Sequence, residues 1–196
     1  MSFRNFRKIV PPIVHHKDTP MAEVTLRHEI SCSVQDYWDH CIFDNDFNQR
    51  LYVERLHFHS FVPSESVDSA DRRTKKCTME PPLTGIPGPA KKVIGDALKY
   101  AEDGYLDKKT GRYHSAITPS TFAEKTHVEA ELWCEPSASG DVNRCVRFAR
   151  VKVEVKVFVV GAMIEEKIMR DLQASYDEEA KCVSEWVRSL RPPPMG

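Results

Sequence analysis

From Glu23 onward the chain alternates. "EVTLRHEIS" puts Val24, Leu26, His28 and Ile30 on one face and Thr25, Arg27 and Glu29 on the other, the period of a half-buried strand. Ser33, with Asp36 three residues on, resembles a capping box, and Val34, Tyr37, Trp38, Cys41 and Ile42 then fall at helical spacing. After a break at "DND", Phe47, Leu51 and Val53 predict a second short helix. Three hairpins follow. "RLHFHSFVPSESV" pairs with "RRTKKCTMEP" around Ser69 and Asp71, "KYAEDGYLDKKTGRYHSAITPS" turns at "DKKTG", and "KTHVEAELWCEPSASGDVNRCVRFARVKVEVKV" turns at "SASGD". Between the first two lies "PPLTGIPGPAKKVIGDALKY", whose prolines and glycines predict a loop or short-helix excursion.

Near the end the period changes. Val151, Val153, Val155 and Val157 alternate with Lys152, Glu154 and Lys156, whereas Ile164, Ile168 and Leu172 repeat every four residues. Neither Pro nor Gly interrupts Ala162 to Leu190, a helix of roughly 43 Å. The strand from Cys145 to Val157 is about as long, so the helix can fold back across the sheet, with Gly161 giving the turn its permissive backbone. These elements make an α+β fold: a curved antiparallel sheet of about seven strands gripping a long C-terminal helix, with two short helices after the first strand. One domain is expected over residues 21–190, between an N-terminal tail (1–20) and a C-terminal tail (191–196).

A bent sheet covered by one helix is a mitt, and small or polar inner residues (Ala149, Ala130, Ser115, His28, Arg147) leave room inside it. Such a gap is a natural site for an apolar ligand. Ile164, Ile168 and Leu172 are expected to form its helical wall, and Ala149 and Val151 share the face of Arg147, which could meet a headgroup or carboxylate. A gate is expected over residues 81–98, where Leu83, Ile86, Val93 and Ile94 stand beside Lys91 and Lys92 and suit contact with a membrane surface.

Composition removes other classes. Across 196 residues, 28 basic and 29 acidic side chains leave a net charge of −1, so no global electrostatic case exists for nucleic acid. No stretch reaches the length of an apolar membrane span, and the start "MSFRNFRKIVPPIVHHK" lacks the apolar core of a secretory signal. A cytoplasmic protein with reduced thiols is expected, since Cys32, Cys41, Cys77, Cys134, Cys145 and Cys182 include no paired spacing. The basic start is read as an arm, with membrane-surface contact or organelle targeting as the alternative. His57 and His59 of "HFH" would share a face if they lay in a strand, yet no further metal ligands accompany them, and no metal or cofactor is expected.

The order of elements resembles the START-like (helix-grip, SRPBCC) superfamily over about residues 22–190. Its most specific piece is "VEVKVFVVGAMIEEKIMRDLQASYDEEAKCVSEWV", where Gly161, Ile164, Glu165 and Trp186 are similar to an uncharacterised START-like domain family common in actinobacteria. The same piece resembles the end of VASt-type sterol-binding domains and, more loosely, PRELI-type phospholipid-transfer domains. "SVQDYWDHCIFDNDFNQRL" is similar to the first helices of such domains. The resemblance implies binding or transfer of a hydrophobic small molecule: a lipid, sterol or fatty acyl chain. Two alternatives stand beside it. One is a cyclase- or dehydratase-like enzyme using His28 with Tyr113 or Glu129. The other is an interaction module whose cavity has collapsed.

Overall fold

The structure, a computed structural model, describes residues 22–86, 88–95 and 98–190. The two expected tails and the side chain of Val93 lie outside the described residues. Strands β1 (Ala22–Ile30), β2 (Ser60–Asp68), β3 (Arg72–Glu80), β4 (Tyr100–Asp107), β5 (Arg112–Pro119), β6 (Thr126–Pro136) and β7 (Cys145–Val155) form one antiparallel sheet in the order β1-β7-β6-β5-β4-β3-β2. The first strand thus pairs with the last, from Ala22 opposite Val153 to Ile30 opposite Cys145. Each remaining neighbour is joined by a hairpin or by the excursion before β4. Helix α1 (Val34–Tyr37) continues as a π-helical turn (Trp38–Ile42), and α2 (Asn45–Gln49) does the same (Arg50–Arg55). Helix α3 (Gly88–Ile94) interrupts the proline-rich excursion, and α4 (Gly161–Leu190) closes the chain.

The local chemistry agrees with these bounds. The Ser33 hydroxyl accepts from Asp36 N and the Asp44 carboxylate from Phe47 N, each satisfying a free donor at a helix start. Along β1 Val24 and Ile30 are buried, Leu26 and His28 half-buried, and Thr25, Arg27 and Glu29 exposed. The pair "HFH" departs from expectation. His57 adopts a left-handed backbone and β2 begins only at Ser60, so the two imidazoles are not strand neighbours. Among the described residues no cluster of His, Cys, Asp or Glu is poised to hold a metal, and no helix is long and apolar enough to cross a membrane.

Helix α4 lies over β1 and β7. Beneath it Ala149, Val151 and Val153 have no exposed surface and pack with Met169 and Val183 into the main core. Because α4 covers that side of the sheet, the inner face of β3 to β6 is roofed only partly. The space over it is walled by the α1–α2 segment and by the excursion.

Candidate functional site

That space is a cavity of about 330 Å³. Its roof is one stripe of α4, where Ile164, Ile168, Leu172 and Tyr176 recur every four residues and so face the same way. Met79, Ile117, Val128 and Leu132 form the floor, with Phe47, Leu51 and Tyr52 at the inner wall. Leu83, Ile86 and Ile94 of the excursion line the cavity as well, as do Lys167 and Asp171, which pair with each other on α4.

One polar cluster interrupts this lining. Lys75 shares the inner face of β3 with Cys77 and Met79, and Glu102 shares that of β4 with Gly104 and Leu106. Lys75 is 7 % exposed and Glu102 8 %. Lys75 Nζ donates to Asn48 Oδ1 at 3.0 Å and lies 3.9 Å from Glu102 Oε2. Asn48 is oriented in turn, its amide nitrogen donating to the carbonyls of Cys41 (3.1 Å), Ile42 (3.1 Å) and Asp44 (2.6 Å), which leaves its oxygen for the lysine. The Tyr113 hydroxyl donates to Glu102 Oε1 at 2.8 Å, and the Cys77 thiol lies 3.5 Å from Oε2. Burial, with Glu102 adding to it, pushes the Tyr113 phenol well above its ordinary range and the Cys77 thiol up to about 12, so both stay protonated donors. Gly104 makes room for this contact: a Cβ there would sit 1.9 Å from the Tyr113 oxygen.

A second network lies behind the roof. Arg147, with no exposed surface, places Nη1 2.8 Å from Glu179 Oε2 and donates from Nη2 to Tyr176 O at 2.9 Å, its guanidinium 5.0 Å from the Tyr176 ring centre. The Tyr37 hydroxyl donates to Glu179 Oε1 at 2.7 Å. His28 Nδ1 lies 2.9 Å from Arg147 Nη2, and Nε2 lies 2.8 Å from Asp177 Oδ1. An arginine can only donate, so Nδ1 accepts and the proton sits on Nε2, aimed at Asp177. Burial and then Arg147 lower the His28 pKa below the usual value, against the opposing pull of Asp177 and Glu179. For Arg147 burial works against the charge, and Glu179 with Tyr37 overcomes it, holding the guanidinium protonated.

The expected ligand-facing residues therefore divide. Ser115, Ile164, Ile168 and Leu172 line the cavity, and so do Leu83 and Ile86 of the excursion. Ala149 and Val151 instead pack in the core, because α4 lies directly on β7 and leaves no gap there, and Ala130 of β6, opposite Val151, packs with them. Arg147 and His28 also lie off the cavity wall, tying α4 to β7 and β1, and the Arg147 charge is already answered by Glu179 rather than open to a carboxylate. Lys91 and Lys92 are exposed on α3. Of the residues considered for catalysis, Tyr113 lines the cavity, whereas Glu129 points out from β6 into solvent. Lys75, Glu102 and Asn48 escaped the sequence reading. The first two carried a signal, being charged residues on the apolar side of an alternating strand; Asn48 carried none.

Residues 25–187 match a family described as "Protein of unknown function (DUF2505)". No curated protein matches the chain in sequence. Among solved structures, TTHA0849 from Thermus thermophilus superposes with a TM-score of 0.59 at 10% identity, over 87% of this chain and 99% of its own. A START superfamily protein from Mycobacterium smegmatis gives 0.54 at 12% identity, over 86% and 99%. Norcoclaurine synthase from Thalictrum flavum, solved in complex with dopamine and hydroxybenzaldehyde, gives 0.55 at 13% identity, over 88% and 90%. At these identities the likeness establishes the fold: START-like, helix-grip.

Proposed function

The chain belongs to the DUF2505 family and carries a helix-grip fold, and we propose that it binds a hydrophobic small molecule with one polar end in the cavity beneath α4. The observation that carries this reading is an apolar space of about 330 Å³ ending on the buried Asn48, Lys75, Glu102 and Tyr113. Protein interiors are ordinarily filled to crystal-like density, and a module working only through its surface has no use for such a space. A lysine and a carboxylate are costly to bury, and that cost is offset where a ligand's polar end meets them. The volume sits at the low end of the roughly 300–1,000 Å³ typical of small-molecule sites. It suits a single acyl chain or a compact polycycle better than a diacyl lipid. The small aromatic molecules bound by norcoclaurine synthase on the same fold support a ligand of this scale.

Ile168 in the middle of the roof provides the test. Ile168→Trp adds bulk to space rather than to packed core, so it should cost less than the roughly 1–3 kcal/mol of overpacking a solid interior. Uptake of a fluorescent fatty acid or sterol should weaken by about tenfold or more. Urea midpoints and fluorescence titration read the two effects. A large stability loss with unchanged uptake would place the site elsewhere, and mass spectrometry of solvent extracts from purified protein identifies any ligand carried through purification.

A further inference from the structure

We propose that Lys75 and Glu102 make this cavity an acid–base site that enolises an apolar carbonyl compound. The inference rests on the cavity holding an apolar ligand. Lys75 and Glu102 both line the space, with Nζ 3.9 Å from Oε2. That separation is too long for a hydrogen bond, and it lets the two groups lie side by side, one able to reach a carbonyl oxygen and the other the neighbouring carbon of the same substrate. Two apolar residues would serve a purely structural role at least as well.

Each member is instead fixed by a different neighbour. Asn48, locked by three backbone carbonyls, holds the ammonium, and Tyr113 holds the carboxylate by Oε1, while the Cys77 thiol 3.5 Å from Oε2 takes one of that oxygen's lone pairs and leaves the other for substrate. The groups that would touch substrate, Nζ and Oε2, are thus oriented by positioning residues before anything binds, as transition-state stabilisation requires.

The step balances without a further reagent. Lys75 donates a hydrogen bond to the carbonyl oxygen while Glu102 Oε2 takes a proton from the adjacent carbon. The C–H electron pair becomes the carbon–carbon double bond of the enolate, and the carbonyl π pair moves onto oxygen beside the ammonium. Return of the proton from Glu102 to that carbon, or to another position of a conjugated system, completes an exchange or an isomerisation. The substrate class is a ketone with an acidic adjacent C–H and an apolar body, such as a bicyclic aromatic ketone.

The experiment follows 1-tetralone in D₂O by proton NMR, with saturation transfer from the protein reporting binding. Wild-type protein should speed loss of the C2 proton signal by roughly 100-fold or more over buffer, the scale of positioned acid–base catalysis. Glu102→Gln and Lys75→Met should each return the rate to that of buffer, measured at 1-tetralone concentrations raised to offset any loss of affinity that saturation transfer shows. Binding to the wild type without acceleration overturns the inference and leaves ligand binding standing. Failure to bind 1-tetralone also overturns it, and the ligand extracts then decide the underlying reading separately. Acceleration that survives both substitutions assigns the chemistry elsewhere and overturns it too. The wild-type measurement needs no variant, so a substitution that unfolds the protein does not shield the proposal.

Discussion

Arg147 stands on the inner face of β7 with none of its surface exposed, a place where a guanidinium persists only if its charge is answered. Glu179 answers it, and His28 is then left beside a cation with Asp177 as its outer partner. The geometry needs His28 neutral at Nδ1. Its pKa is lowered, by burial first and Arg147 second, so between the ordinary histidine value near 6.5 and the lower folded value the unfolded chain binds more protons than the folded one. Stability is therefore unaffected by this group above about pH 6.5 and falls as pH drops below it. His28→Gln can still accept from Arg147 and donate to Asp177, and it cannot titrate. Urea midpoints at pH 7.5 and 5.5 should lie closer together in this variant than in the wild type. An equal gap in both proteins would assign the acid sensitivity to other groups.

Between β7 and α4 the chain reverses in a few residues, and the strain falls where the sequence does not advertise it. Gly161 reads as the flexible hinge, yet it is the first residue of the helix, and the left-handed backbone belongs to Val159, at φ 68°. Gly161 matters through proximity: a Cβ there would lie 2.4 Å from the carbonyl oxygen of Val155. Two substitutions should then act with opposite signs. Gly161→Ala forces the turn apart and should cost about 1–3 kcal/mol, whereas Val159→Gly removes left-handed strain and should stabilise by roughly 1 kcal/mol. Urea melts check both, and a Val159→Gly protein less stable than wild type would refute the assignment of strain. The same turn shows what the sequence made legible. Period two and period four marked β7 and α4 because each buries one face, and Glu165 of the matched motif proves to be a tie, accepting from Val155 N at 2.9 Å. Trp186, 6.1 Å from Phe47 in an edge contact, joins α4 to α2. The cavity was only partly legible. Alternation says that a side chain faces inward, but whether it meets packed helix, like Ala149, or open space, like Ser115, depends on where α4 crosses the sheet, and that crossing is set by long-range packing.

At the scale of the whole molecule the excursion, the strained turn and the β5–β6 loop share one end of the sheet. Ser120 N donates to Lys99 O and its hydroxyl accepts from Lys99 N, joining the excursion to the β5–β6 loop. Lys156 N donates to Lys125 O, joining that loop to the turn before α4. At this end Phe158 is 93 % exposed and Val159 77 %; Lys91 and Lys92 are exposed on α3, Lys125 on the β5–β6 loop, and Lys156, paired with Glu154, on the turn. If this end meets an anionic lipid surface, with Phe158 as its apolar contact, each lysine there contributes about 1 kcal/mol. The two lysines of α3 together are then worth about 2 kcal/mol, roughly 30-fold in affinity. In vesicle co-sedimentation, Lys91→Glu with Lys92→Glu should weaken binding to phosphatidylglycerol-containing vesicles by at least that factor, since reversal adds repulsion to the loss. It should leave binding to neutral phosphatidylcholine unchanged. Phe158→Asp should reduce both, because it removes the apolar tip rather than the charge. Wild-type protein that ignores anionic vesicles altogether would mean that ligand enters from water, and the exposed Phe158 would then have no part in its delivery.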